Sequence, residues 1–257
     1  STLFPYTTLF RSGSCGGMDR PKFYFTNVFN QFKPLLLEYS MGRKRFPKGS
    51  TMFSSAQTLD FCFYIESGLA RYSVMHESGA EKTLFYHGAG SMFPAYSSPR
   101  QYRIGEFGFS ISEIEGFVIS QKRIKELMTQ NVALMKKILD TYLEMFNFLV
   151  FDSINQCYSS AYVRLCNFLY IYMEDRNSTG EDGLEIRLTQ EELASIVAVS
   201  RVQISAILNR LRNQKIIQTD RKRICIRNIE LLAEQCTGEA YIECNYQIGR
   251  ASCRERV

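Results

Sequence analysis

Histidine is almost missing from this chain: among 257 residues only His76 and His87 carry an imidazole. A metal-dependent enzyme on a small barrel needs a cluster of three or so histidine and carboxylate ligands, which two histidines do not supply. Zinc and other catalytic metals are therefore disfavoured, and neither catalytic nor metal-ligating residues are assigned. Closely paired cysteines are missing too. Eight cysteines are present, but Cys62, Cys157, Cys166, Cys225, Cys236 and Cys244 are scattered without a CxxC pair, the pattern of reduced thiols in a cytoplasmic protein. Apolar runs stay short of the roughly 18 residues a membrane helix needs, so no membrane association is expected. A strong charge of one sign is also lacking, with 31 basic against 26 acidic side chains and a formal +5.

Even that modest excess is partly located at the ends. Thr2 to Ser12 (TLFPYTTLFRS) and Ile248 to Val257 (IGRASCRERV) resemble the two senses of a translated sequencing adapter. Residues 1–12 and 248–257 are therefore set aside; the expected start is Met18, with no leader after it. Cys15 and Cys253 drop out of the cysteine count with them. The two ends hold four arginines and one glutamate, so what lies between them is nearly neutral. Any case for nucleic-acid binding must rest on local charge.

What is present falls into two regimes. From about Arg43 to Ser120, short aromatic-rich strands alternate with turns. Pro47-Lys48-Gly49, Glu66-Ser67-Gly68 and Glu77 to Ala80 separate them, and Gly88, Gly90, Gly105, Gly108 and Gly116 punctuate the rest. This spacing predicts a small antiparallel barrel or roll. Near Gln121 the period changes. Met135, Ile138, Tyr142, Met145 and Leu149 recur at steps of three and four, beside a second apolar line of Leu139, Leu143, Phe146 and Val150. A helix this apolar must be buried on more than one side, which predicts packing on its own roll and on a second copy. Asn155 to Ser160 reads as a polar break, Ala161 to Glu174 as the next helix, and Asp175 to Gly183 as a solvated loop.

The C-terminal part carries the sharpest local signals. Thr189-Gln190-Glu191-Glu192 and Ser200-Arg201-Val202-Gln203 are capping boxes, each opening a helix. The first helix buries Leu193, Ile196 and Val197; the second buries Ile204, Ile207, Leu208 and Leu211. Two capped helices so close together form a helix-turn-helix, with Ala198 taking a positive φ at the turn. Ile216-Ile217 and Ile224-Cys225-Ile226 read as strands joined by Gln218 to Arg223, a basic wing. From Arg201 to Arg227 there are eight basic residues and one acid, Asp220. Arg201 and Gln203 suit guanine and adenine edges, with Val202, Ser205, Ala206 and Asn209 on the same open side. Thr189, Gln190 and Ser200 sit where helix N-termini meet phosphate, and Arg221, Lys222 and Arg223 are assigned to the wing. A charged winged helix used for protein contacts is the alternative.

LTQEELASIVAVSRVQISAILNRLRNQKII with its basic hairpin resembles the DNA-binding domain of the CRP/FNR superfamily of bacterial regulators. FYIESGLARYSV and SGAEKTLFYHGAG resemble that superfamily's effector-binding roll. The resemblance implies an α+β architecture: an N-terminal antiparallel β-roll of the cyclic-nucleotide-binding type (18–131), a long dimerisation helix (132–156) and a C-terminal winged helix-turn-helix (159–236). It further implies a non-enzymatic homodimer that binds double-stranded DNA at a palindromic site, contacts RNA polymerase and acts as an activator. Val202 departs from the glutamate many members have there, and Ser205 and Ala206 also differ, so no operator sequence is carried over.

The effector is narrowed by elimination. The stretch from Gly90 to Tyr96 lacks the glutamate of the cyclic-nucleotide members, and Pro99-Arg100-Gln101 does not restore their arginine pair, so cAMP is disfavoured. No cysteine lies between Met18 and Met52, against an iron–sulfur cluster. No cofactor is assigned. TLFYHGAGSMF is similar to regulators of organohalide respiration that sense chlorinated phenols. That similarity and the local aromatics point to a small aromatic effector near Phe85, Tyr86, Gly88, Gly90, Met92, Phe93 and Tyr96 of the roll and Tyr142, Phe146 and Phe148 of the helix. Core packing explains the same residues equally well. A thiol switch at Cys157 or Cys166 and a haem held by His76 or His87 are the other options.

Overall fold

The computed structural model describes residues 21–54, 60–94, 105–178, 184–220 and 223–240. The adapter-like ends, Tyr96, Pro99 to Gln101, Cys244, Arg221 and Lys222 lie outside the described residues.

The N-terminal part is a two-sheet roll. A short strand β1 (Tyr24–Phe25) and a helix α1 (Lys33–Glu38) precede eight strands: β2 (Gly42–Phe46), β3 (Thr51–Ser54), β4 (Phe61–Ser67), β5 (Ala70–Met75), β6 (Glu81–His87), β7 (Met92–Phe93), β8 (Glu106–Ser110) and β9 (Ile114–Ser120). They form sheets of order β1-β6-β5-β8-β3 and β2-β9-β4-β7. All pairings are antiparallel except β1 with β6, which is parallel. Gly68 makes the β4–β5 turn at φ +96°, and a Cβ there would stand 2.1 Å from the Glu113 carbonyl oxygen. Only glycine fits both demands. Phe46, Phe53, Phe63, Ile65, Phe93 and Ile114 fill one end of the roll.

Helix α2 (Gln121–Gln130) leads into α3 (Val132–Tyr158), whose N-cap Asn131 accepts the Leu134 amide at 2.9 Å. The polar run from Asn155 does not break α3, contrary to expectation. Asn155 is buried; its amide donates to the Phe151 carbonyl at 3.0 Å and its own carbonyl accepts from Asn167 at 2.6 Å. A polar side chain satisfied inside the fold leaves no reason for the helix to stop. Only Ser159 and Ser160 lie outside the helices, and α4 (Ala161–Ser178) follows. Helix α4 likewise runs past Glu174. Asp175, expected in a solvated loop, is 2% exposed and accepts the Phe23 and Tyr24 amides at 2.8 and 3.0 Å.

The remaining elements are β10 (Glu185–Ile186), α5 (Gln190–Val197), α6 (Arg201–Asn213), β11 (Ile217–Asp220), β12 (Arg223–Ile226) and α7 (Ile229–Glu234). One continuous apolar core runs from Phe23 and Tyr86 in the roll through Phe148 and Leu169 to Leu193 and Leu211. Among the described residues no helix is long and apolar enough to cross a membrane.

Candidate nucleic-acid interface

Both capping boxes form as the spacing predicts. The Glu192 amide donates to Thr189 Oγ1 at 3.1 Å and the Thr189 amide to Glu192 Oε2 at 2.7 Å. The Gln203 amide donates to Ser200 Oγ at 3.2 Å, and the Ser200 amide to Gln203 Oε1 at 3.0 Å. Ala198 ends α5 in the left-handed region, φ 56° and ψ 56°. A side chain is tolerated there at a cost of about 1 kcal/mol, and the tight corner turns α6 across α5. Ile204, Ile207, Leu208 and Leu211 are buried as one stripe. The opposite side, with Arg201, Val202, Gln203, Ala206 and Asn209, is exposed; Val202 is 79% open to solvent.

The wing is three strands, β10-β12-β11, rather than two. Its hairpin pairs from Ile217 with Ile226 out to Asp220 with Arg223. Gln218 to Asp220 and Arg223 are therefore strand residues, while Arg221 and Lys222 lie outside the described residues. The expected loop was too long because polar residues on the solvent side of a strand look like a turn when read without their partner.

Side-chain pairing refines the candidate readers. Arg201 Nε lies 3.1 Å from Glu191 Oε1, with both side chains more than 60% exposed. Glu191 was not singled out from the sequence, because the two residues meet only once the helices cross. Gln203 holds its carbonyl oxygen on the cap, so bidentate adenine pairing requires breaking that bond. Asn209 accepts from the Arg212 guanidinium at 2.8 Å. Arg210, one of the eight basic residues of this stretch, stacks its guanidinium 4.0 Å from the centre of the Tyr162 ring. A groove of about 320 Å³ separates α6 from the wing, lined by Thr189, Gln190, Arg201, Ser205, Asn209, Arg212 and Arg223. Five of the candidates thus share one groove with Thr189; Arg221 and Lys222 are not described, and Val202, Gln203 and Ser200 lie off it on the helix end.

The sequence profile that matches this region, residues 163–235, is that of the Crp-like helix-turn-helix domain. The C-terminal part of the chain is a Crp-like helix-turn-helix domain. The Crp-like domain is attached to a whole architecture with known counterparts. A global nitrogen regulator of Synechococcus elongatus is 25% identical over 206 residues, covering 75% of this chain and 88% of that one. The structure is similar to a CooA mutant from Carboxydothermus hydrogenoformans, with a TM-score of 0.66, 16% identity and coverage of 82% and 99%. It is also similar to an OCPA-complexed CprK, with a TM-score of 0.64, 17% identity and coverage of 86% and 99%. The likeness to these structures establishes the fold: α+β, with a roll followed by helices and a Crp-type helix-turn-helix. The chain thus joins a Crp-like helix-turn-helix domain to the roll-and-helix fold of these structures.

The expected effector residues are divided by the structure. Phe85, Tyr86, Gly88, Gly90, Met92 and Phe93 are buried in the roll. Tyr142 and Phe146 are on the other side of α3, 36% and 60% exposed. The α3 residue that meets the roll is Phe148, its ring 5.5 Å from Phe85 and 5.3 Å from Phe23. Seven-residue spacing through Leu134, Thr141, Phe148 and Asn155 marks that inner face; it is the signal that separates Phe148, as expected beside the roll, from Tyr142 and Phe146. His87 lies between the rings of Phe93 (4.4 Å) and Phe25 (5.5 Å), and burial pulls its pKa down to about 3. His76 bonds Ser78 at a solvent-facing turn. Burial pushes the Cys166 thiol up to about 12, whereas Cys157 is exposed.

Proposed function

We propose that the chain is an effector-responsive, sequence-specific DNA-binding regulator that acts as a homodimer on a palindromic site. The observation carrying this reading is the surface of α6, whose apolar stripe is wholly buried while its N-terminal half stands open. A helix about 10–12 Å across fits the major groove. Arg201, released from Glu191, would present two donors to guanine, and Val202 an apolar contact to a thymine methyl. Gln203 would keep the recognition helix capped and offer its amide nitrogen, with Ser205 and Asn209 beside it. Thr189, Gln190 and Ser200 would bind phosphates at helix N-termini. Arg223, together with Arg221 and Lys222 that follow Asp220 in sequence, would hold the flanking backbone.

The exposed seam of α3, from Met135 through Leu139, Tyr142, Phe146 and Val150 to Ile154, supports dimerisation, since a monomer would leave it in water. Pairing two recognition helices suits half-sites about 34 Å apart. Activation through RNA polymerase is the mode the superfamily implies. For the effector, the aromatic packing of Phe85 and Phe93 beside Phe148 favours a small aromatic molecule over cAMP, in keeping with the OCPA bound to the similar CprK. No cofactor enters this reading. A thiol switch would have to use Cys157, because burial holds Cys166 protonated.

Selection of bound fragments from genomic DNA at moderate salt tests the reading and yields the operator. Arg201→Ala should lose about 1–3 kcal/mol at one base position per half-site. Retention of no DNA at all would hand the fold to a protein-contact role.

A further inference from the structure

A cleft of about 650 Å³ opens between the roll and the Crp-like domain. Lys48 and Arg71 line it from the roll; Arg187, Glu192 and Arg223 line it from the other side, with Thr189 at its edge. Four of these side chains are cations and one is an acid. That acid is committed elsewhere, since Glu192 accepts the Thr189 amide at 2.7 Å in the capping box. Arg187 pairs with Glu185 at 2.6 Å, and Arg223 lies 3.2 Å from Asp220 and 3.7 Å from Glu185. Arg71 is the most confined of the four. Its side chain is only 12% exposed and pairs with Glu81 at 2.8 Å, yet its Nε has no hydrogen-bond partner. The guanidinium also stands 5.4 Å over the Phe109 ring on the cleft wall. Arg71, Arg187 and Arg223 are already ion-paired with Glu81, Glu185 and Asp220. The pull on an anion therefore comes from Lys48 and from the free donors of the paired guanidiniums, and a desolvated donor without an acceptor is costly to leave unmade.

We propose that this cleft binds a small phosphate-bearing anion that bridges the roll and the Crp-like domain. Its size falls within the usual range for small-molecule sites, about 300–1,000 Å³. Charge-assisted bonds from Lys48 and Arg71 on one side and Arg187 and Arg223 on the other would meet the phosphate oxygens. The site is separate from the aromatic region of the roll; it shares Arg223 with the proposed DNA contacts, but its anion is held without DNA.

Titration of the full, DNA-free chain with pyrophosphate, at ionic strength matched with sodium chloride, tests this by calorimetry and thermal shift. One anion per chain is expected, with inorganic phosphate weaker. Lys48→Gln and Arg187→Gln, exposed positions on opposite walls that are not among the DNA-reading candidates, should each weaken binding about tenfold. No saturable response to pyrophosphate, or an affinity unchanged in both variants, overturns the proposal. If the unmutated chain binds no pyrophosphate while Lys48→Gln lowers the salt slope of DNA binding by about one unit, the proposal is likewise overturned, since the phosphate in the cleft is then DNA's own.

Discussion

His87 is fully buried between two phenylalanine rings, and its Nδ1 finds no partner. Such an imidazole folds in neutral and resists a proton until about pH 3, whereas in the unfolded chain it takes one near pH 6.5. Below pH 6.5 the unfolded state binds the extra proton, so stability is intact above that pH, falls as the pH drops, and levels off near pH 3. The loss at pH 5 should be about 2 kcal/mol, and His87→Gln should remove it. Urea melts of both proteins at pH 7.5 and pH 5 check this; identical pH dependence would mean His87 is not the group responsible. Gln203 shows another limit at this scale. Its position off the buried stripe and its place three residues after Ser200 are both legible in the sequence. Which of the two roles holds the carbonyl oxygen is decided by the 3.0 Å bond to Ser200.

Helix α3 is where periodicity alone was ambiguous. Its apolar residues occupy so much of the circumference that two lines can be drawn, one with Ile138 and one with Leu139, and spacing does not say which faces the roll. The structure turns Ile138 inward at 2% exposure and leaves Leu139 outward at 56%, because the roll takes the line through Leu134, Thr141 and Phe148. Phe146→Glu should fold normally, since the side chain touches solvent in the single chain. It should sediment as a monomer and bind a two-half-site operator more than about tenfold more weakly. A Phe146→Glu chain that still dimerises would remove α3 from the subunit contact. Helices α5 and α6, by contrast, were readable almost residue by residue, because a capping box and a buried stripe are signals confined to a few turns.

At the scale of the whole molecule the roll and the Crp-like domain are locked face to face. The Thr83 amide and Oγ1 reach Ser195 Oγ at 3.1 and 2.8 Å, and Lys82 Nζ donates to the Ile196 carbonyl at 2.6 Å while pairing with Asp152 at 2.9 Å. Burial lowers the Lys82 pKa despite Asp152. Phe23 closes the same joint, 4.9 Å from the Phe168 ring and 5.4 Å from Tyr86. Ser195→Ala leaves two buried Thr83 groups without their partner and should cost about 1–3 kcal/mol in a urea melt. A transition superimposable on the wild type would show that the two parts do not dock this way in solution. None of this joint was anticipated from the sequence. The helix-turn-helix and its open reading face were determined there, because caps, turns and apolar stripes act between residues less than about a dozen apart. The hold of Asp175 on Phe23 and Tyr24, the inner face of α3 and the cationic cleft were decided only by tertiary structure. Each joins groups far apart along the chain, and hydrogen bonds, ring contacts and charge clusters at such separations leave no periodic trace in sequence.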